Sequence, residues 1–281
     1  MDKLKAAVAL LKCGKEQGTA FLINRTLAIT MSHCVIEAIE NGHDVQLIFN
    51  NIDGQGEIII TAEVEEYEKN GPVTFLRLNN EIQTDALDIL CCEDKIGREE
   101  RLVAYGYPHV KREEGCIIDI YVNDYLNENL IIEGDVVMRI ASGTRIDNFA
   151  GMSGSPVFFR NKVIGILIEQ GVEKTGNNAK AIDLKMISIK RIKGILDHFN
   201  IDYTTESYAK IQKDLNSSKQ LREYCDENAN YDERKRNYGE KYVVGYSELD
   251  SVLQDYENAI EAKLKNIFFI MLRCDLSFSQ C

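Results

Sequence analysis

The sequence predicts a mainly β protein, either a sandwich or a pair of barrels, followed by an α-helical tail. Three observations carry this. Residues 1 to about 190 hold many short apolar runs of strand length, separated by Gly, Asn and Asp turn signals. After Ala181-Ile-Asp-Leu184 the apolar spacing lengthens to that of a helix. No self-similarity is visible at a period of about 20–50 residues, which excludes a solenoid or propeller.

The elements follow in order. Val8, Leu10 and Leu11 lie in a first apolar stretch, and Gly14-Lys-Glu-Gln-Gly18 supplies the turn after it. Thr19–Ile23 and Leu27–Thr30 are strands on either side of the break Asn24-Arg-Thr26, and residues 31–41 are a short helical interruption. Further strands are expected at Val45–Phe49, Glu57–Val64, Val73–Leu78, Ile89–Cys92, Arg101–Tyr105, Cys116–Val122, Val136–Ile140, Val157–Phe159 and Val163–Glu169. From Ser188 to Phe199 the residues Ile189, Ile192, Ile195, Leu196 and Phe199 share one helical face. A polar stretch over 216–240 precedes a second helix. Ser247-Glu-Leu-Asp250 is its capping-box-like start, and Leu249, Val252, Tyr256, Ile260, Leu264 and Ile267 form its apolar stripe. The expected division is a β domain over 1–198 and a helical region over 199–281.

Charge and cysteine usage narrow the function classes. The 281 residues carry 45 acids and 33 bases, a net charge of −12. Nucleic-acid affinity comes from Lys and Arg on phosphate, so no nucleic-acid partner is expected, and no anionic membrane surface either. Ala6–Leu11 is shorter than the ~7–15 apolar residues of a signal-peptide core, and Ile267–Leu272 is far short of the ~20 that span a bilayer. The eight cysteines show no CxxC and no recurring spacing. They read as reduced, mostly buried thiols, so the expected location is cytoplasmic. No spacing of His, Cys and acids fits a metal site, and the chemistry below calls for neither metal nor cofactor.

Three segments carry the chemistry. Ala28-Ile-Thr-Met-Ser-His33 ends a strand with a histidine. Asp88-Ile-Leu-Cys-Cys92 opens a strand with an aspartate. Gly151-Met-Ser-Gly-Ser-Pro156 sets a serine in a glycine-bracketed turn before a strand. Serine attack needs a base for the hydroxyl proton, a carboxylate to orient that base, and backbone N–H groups for the developing oxyanion. Glycines at 151 and 154 permit the tight turn that directs N–H groups inward, which makes the Gly151 and Ser153 amides the candidate oxyanion donors.

In this order the segments resemble the chymotrypsin-like serine proteases. Gly18-Thr-Ala-Phe-Leu-Ile23 with Thr30-Met-Ser-His-Cys34 is similar to that family's second strand and histidine loop. Ala104-Tyr-Gly-Tyr-Pro108 resembles the strand opening the second barrel. Gly151–Pro156 and Val163-Ile-Gly-Ile-Leu167 resemble the nucleophile loop and the strand after it. The resemblance implies a double six-stranded antiparallel β-barrel and a protein or peptide substrate. It implies His33 as general base, Asp88 as the orienting acid, with Asp85 the alternative, and Ser153 as nucleophile. Asp147, six residues before Ser153, matches the pocket floor that selects Arg or Lys in trypsin-like members, with Ala181 lining the same pocket. The alternative is that Asp147 caps its own Asp-Asn turn or points to solvent.

Departures from the family pattern matter as well. Extracellular members pair the cysteine matching Cys34 with one at the position of Gln17, so that bridge is lost here. Met152 stands where secreted zymogens carry an aspartate, and no Arg-Ile-Val-Gly-Gly-like activation site is present. Control by a protein partner or by the helical tail is therefore expected. The resemblance extends to bacterial cytoplasmic trypsin-like domains that act as effectors in antiviral defence systems. The rival expectations are a catalytically silent scaffold of protease fold and a housekeeping protease.

Overall fold

The computed structural model describes residues 2–50, 56–65, 71–111, 113–126, 134–142, 144, 146–175 and 178–213. After the helix α1 (Asp2–Ala7) come β1 (Val8–Cys13), β2 (Glu16–Asn24), β3 (Leu27–Met31), β4 (Val45–Asn50), β5 (Glu57–Val64) and β6 (Val73–Leu78). These six strands close into an antiparallel barrel in the order β1-β2-β3-β6-β5-β4. The expected helical interruption is a 3-10 turn, Ser32–Val35, running into α2 (Ile36–Asn41).

A short strand, β7 (Leu90–Cys92), leads to the second barrel. It comprises β8 (Arg101–Gly106), β9 (Cys116–Tyr125), β10 (Val136–Ile140), β11 (Pro156–Phe159), β12 (Lys162–Thr175) and β13 (Asn178–Ser188), closed in the order β10-β13-β12-β11-β8-β9. The fold is thus mainly β, two closed six-stranded antiparallel barrels. Closure leaves neither sheet with a free edge, so all strands find partners on both sides.

Alternation sets which face turns inward. In β5, Ile60 and Ala62 are buried while Glu57, Ile59, Thr61 and Glu63 are exposed. In β9, Ile118, Ile120 and Val122 point to the core between more exposed neighbours. β3 has no exposed residue, because both of its faces are covered.

One strand departs from the expectation. β13 lies within the region expected to be strands without being among the runs singled out, and it continues past Leu184, where the apolar spacing is expected to change, with Leu184 and Met186 buried and Asp183 and Lys185 half-exposed. It runs straight into α3 (Ile189–His198) across Ser188 alone, with no Gly or Pro to mark the change. α3 buries Ile189, Ile192 and Leu196. The following Phe199 stacks on Phe75 of β6 at 4.4 Å between ring centroids, a contact worth about 0.5–1.5 kcal/mol beyond area burial. The helix after the second barrel is thereby tied to the first.

The chain then returns as β14 (Thr204–Glu206), parallel to β7 with Thr204 opposite Leu90. Thr204 N–H donates to Ile89 O at 2.9 Å and Glu93 N–H to Glu206 O at 3.0 Å. Lys162, nearly buried, donates from Nζ to Thr204 Oγ1 at 2.9 Å. The chain divides into two units, Met1–Tyr208 and Ala209–Cys281. The polar stretch and second helix expected over 216–271 lie outside the described residues. Among the described residues no helix is long and apolar enough to cross a membrane.

Candidate active site

Each of the three segments is anchored by its backbone while its polar side chain is left accessible. His33 sits in the 3-10 turn after β3. Ser32 fixes that turn, its N–H donating to Pro72 O at 3.0 Å and its Oγ to Gly71 O at 2.6 Å. Cys34 and Val35 are buried beyond it, and the imidazole between these anchors is exposed. Asp88 is held from both barrels. Leu87 N–H donates to Leu22 O of β2 at 3.2 Å, and Val163 N–H of β12 donates to Asp88 O at 2.8 Å. Its carboxylate is also exposed.

The nucleophile loop is a tight turn with two left-handed glycines, Gly151 at φ +96° and Gly154 at φ +88°. Met152 N–H donates to Phe149 O at 3.0 Å and Gly154 N–H to Leu167 O of β12 at 2.8 Å. Ser153 O accepts the N–H of Thr19 on β2 at 2.8 Å and the Cys34 thiol at 3.6 Å. The serine's main chain is thus packed against the residue next to His33. Ser153 is half-buried, whereas Ser155 two residues on is fully buried and out of reach of a substrate.

The Ser153 hydroxyl donates to Ile168 O at 2.6 Å. Among the described residues no hydrogen bond joins His33 to Ser153 or to Asp88. The backbone places Ser153 beside Cys34, the neighbour of His33, and holds the Leu87–Asp88 segment to Leu22 and Val163, with no side-chain link joining His33, Asp88 and Ser153 among the described residues. Among the described residues neither the Gly151 N–H nor the Ser153 N–H has an acceptor.

Cys13, Cys34, Cys91, Cys92 and Cys116 are free thiols. Burial pushes the Cys34 thiol up to about 12 and Cys92 to about 11, which keeps both protonated and unreactive at neutral pH. Cys34 packs so closely on Gly18 that a Cβ there would lie 2.5 Å from the sulfur. Gln17, in place of a half-cystine, donates from Nε2 to Tyr107 O at 3.1 Å and so links the first barrel to the segment after β8.

Asp147 and Ala181 are brought together, Ala181 N–H donating to Asp147 O at 3.0 Å. Ala181 is buried and Asp147 exposed. Thr19 was missed by the sequence reading. It is fully buried in an apolar strand, and its hydroxyl donates to Gly151 O at 3.0 Å. A lone hydroxyl beside Ala20-Phe-Leu22 was the available signal, since a buried polar side chain must find a partner. The acceptor role of Ile168 left no trace in the sequence, because any residue supplies a backbone carbonyl. Among the described residues no group of three or more His, Cys, Asp or Glu is placed to hold a metal ion.

Two antiparallel six-stranded barrels with a serine turn at their junction define the chymotrypsin-like class of fold. Residues 18–166 match the family described as trypsin-like peptidase domain, and the chain belongs to that family. Among solved structures, the chain is similar to the active form of the Rv3671c protease from M. tuberculosis, with 16% identity, 72% of this chain and 83% of that chain covered, and a TM-score of 0.53. It is also similar to Deg5 (13% identity, 68% and 88% covered, TM-score 0.51). A third is kallikrein-related peptidase 10 (12% identity, 72% and 99% covered, TM-score 0.54). At these identities the likeness is one of fold. No curated protein sequence matches the chain.

Proposed function

We propose that this chain is a serine endopeptidase that cleaves peptide bonds through Ser153, His33 and Asp88. The observation that carries the reading is the Gly151–Gly154 turn, which leaves the Gly151 and Ser153 N–H groups without an acceptor among the described residues, next to the only half-buried serine of the motif. In the reaction Ser153 Oγ attacks the scissile carbonyl carbon and its proton passes to the His33 imidazole. The tetrahedral oxyanion accepts from the two amides. His33 then protonates the leaving amine, and water repeats the sequence to release the acyl group. Asp88 accepts the other ring N–H and fixes the tautomer. For attack, the Ser153 hydroxyl leaves Ile168 O and turns to His33, a realignment that bound substrate favours.

A second reading has a specific observation behind it. The hydroxyl bonded to Ile168 O and the unlinked His33 also suit a silent scaffold of protease fold. A fluorophosphonate probe separates the two. The full chain should be labelled and Ser153→Ala should not be, whereas an unlabelled wild type favours the scaffold. Basic-residue preference rests on Asp147, whose carboxylate would pair a cationic side chain. Profiling on a peptide library should then show cleavage after Arg or Lys, and Asp147→Ser should lose that preference by about tenfold or more. Unchanged selectivity in Asp147→Ser removes Asp147 from the pocket.

Control by a protein partner acting on residues after 208, in the cytoplasm and as part of a defence system, completes the proposal. Its support is the route of the chain. β14 pairs with the strand that follows Asp88, so the segment leading to residue 208 lies against the orienting acid's own strand.

A further inference from the structure

The turn that carries the nucleophile is pinned from outside at three carbonyls. Ala150 O accepts His109 N–H at 2.8 Å, Gly151 O accepts Thr19 Oγ1 at 3.0 Å, and Ser153 O accepts Thr19 N–H at 2.8 Å. Thr19 thus grips the turn twice, from a residue 132 positions away in sequence. Its single hydroxyl proton is used on Gly151 O, and its lone pair accepts Tyr107 N–H at 3.0 Å. The hydroxyl is fully buried, with its proton and one of its two lone pairs engaged.

In a trans peptide the C=O and N–H point to opposite sides. Holding Ala150 O against His109 therefore directs Gly151 N–H away from it. Holding Gly151 O on Thr19 directs Met152 N–H away, where it meets Phe149 O. A left-handed glycine leaves both flanking peptides otherwise easy to rotate, so Gly151 does not fix them unaided. The surroundings are tight. A Cβ on Gly151 would lie 2.6 Å from Tyr107 O and 2.8 Å from His109 Cδ2, so the 107–109 segment abuts the turn directly.

We infer that Thr19 is a positioning residue of the oxyanion hole: its hydroxyl locks the Gly151–Met152 peptide on one side of the Gly151 hinge, as His109 locks the Ala150–Gly151 peptide on the other, and only with both held does the turn keep the Gly151 N–H presented to the developing negative charge. This rests on the assignment of the Gly151 and Ser153 amides made above. Thr19→Val keeps the shape and removes the hydroxyl, leaving Gly151 O and Tyr107 N–H unpaired and the turn free to rotate. Thr19→Ser restores the hydroxyl.

The test compares a charged tetrahedral mimic with a neutral ground state on the full chain. A peptide boronate reports the first and the matching product peptide, as a competitive inhibitor, the second. Thr19→Val should lose about 10–100-fold in kcat and in boronate affinity together, with product-peptide affinity and KM within about twofold of wild type. Thr19→Ser should regain most of that loss. Amide exchange at Tyr107 should speed up in Thr19→Val and not in Thr19→Ser, a readout that needs no activity. Equal losses for boronate and product peptide, or a Thr19→Val protein that binds boronate like wild type, would overturn the role of Thr19 alone. A wild type that binds no boronate overturns it together with the oxyanion assignment.

Discussion

Replacing Gly154 by alanine should destabilise the fold severely. At this position a Cβ would stand 1.9 Å from Thr19 O and 2.5 Å from Thr30 Oγ1, and φ is +88°. The left-handed backbone alone costs a side chain about 1–3 kcal/mol. The clash is worse, because Thr19 O is main chain and already receives Thr30 Oγ1 at 2.7 Å, so β2 and β3 must part to make room. Against a net stability of roughly 5–15 kcal/mol, such a combined loss is a large share. A loss of about 4 kcal/mol lowers the melting temperature of a domain this size by about 8–16 °C, readable by circular dichroism. Insoluble expression carries the same meaning. A Gly154→Ala protein that melts within about 2 °C of wild type would show that the turn is not built as described.

Removing the base is the second large effect. His33→Ala should lower kcat by roughly 10⁴–10⁶-fold with little change in KM, because the imidazole handles the proton and makes no contact that selects the substrate side chain. The fold should survive, since the ring is exposed and its turn is held by Ser32, Cys34 and Val35. The acid is settled by the same assay. Asp88→Asn should fall by about 10⁴-fold, and Asp85→Asn should stay within a few fold of wild type. The reverse result would transfer the orienting role to Asp85. The main chain around Asp88 is held on both sides, Leu87 N–H by Leu22 O of one barrel and Asp88 O by Val163 N–H of the other, so Asp88→Asn is expected to leave the fold in place.

Much of this architecture was legible because apolar runs and turn residues act locally. The strands at Glu57–Val64 and Cys116–Val122 announce themselves by alternation, and the fold keeps it. β13 was hidden for a physical reason. Lys185 and Met186 alternate as a strand should, yet Ile187 and Ile189 carry the apolar pattern into α3 without a break. β14 is three polar residues whose only claim to strand geometry is a partner more than a hundred residues earlier. Hydropathy has no purchase on such a segment.

The site divides along the same line. Side chains with distinctive chemistry, His33, Asp88 and Ser153, could be singled out from their neighbours in the sequence. What organises them could not, since Ile168 O, Ala150 O and the N–H groups of His109 and Thr19 are groups that nearly every residue owns. The loss of the half-cystine at Gln17 was visible, but its replacement was not. The amide reaches Tyr107 O, joining loops that a disulfide joins differently elsewhere.

The pairing of β14 with β7 has a consequence in time rather than in space. A ladder of three residue pairs opens at far lower free energy than a closed barrel, so it breathes on its own while both barrels stay shut. The amide hydrogens of Thr204 and Glu93, which bond across that ladder, should therefore exchange with solvent faster than those within either barrel, with Lys162 released from Thr204 in the same opening. A motion of β14 is thus felt first at Ile89, the residue next to Asp88.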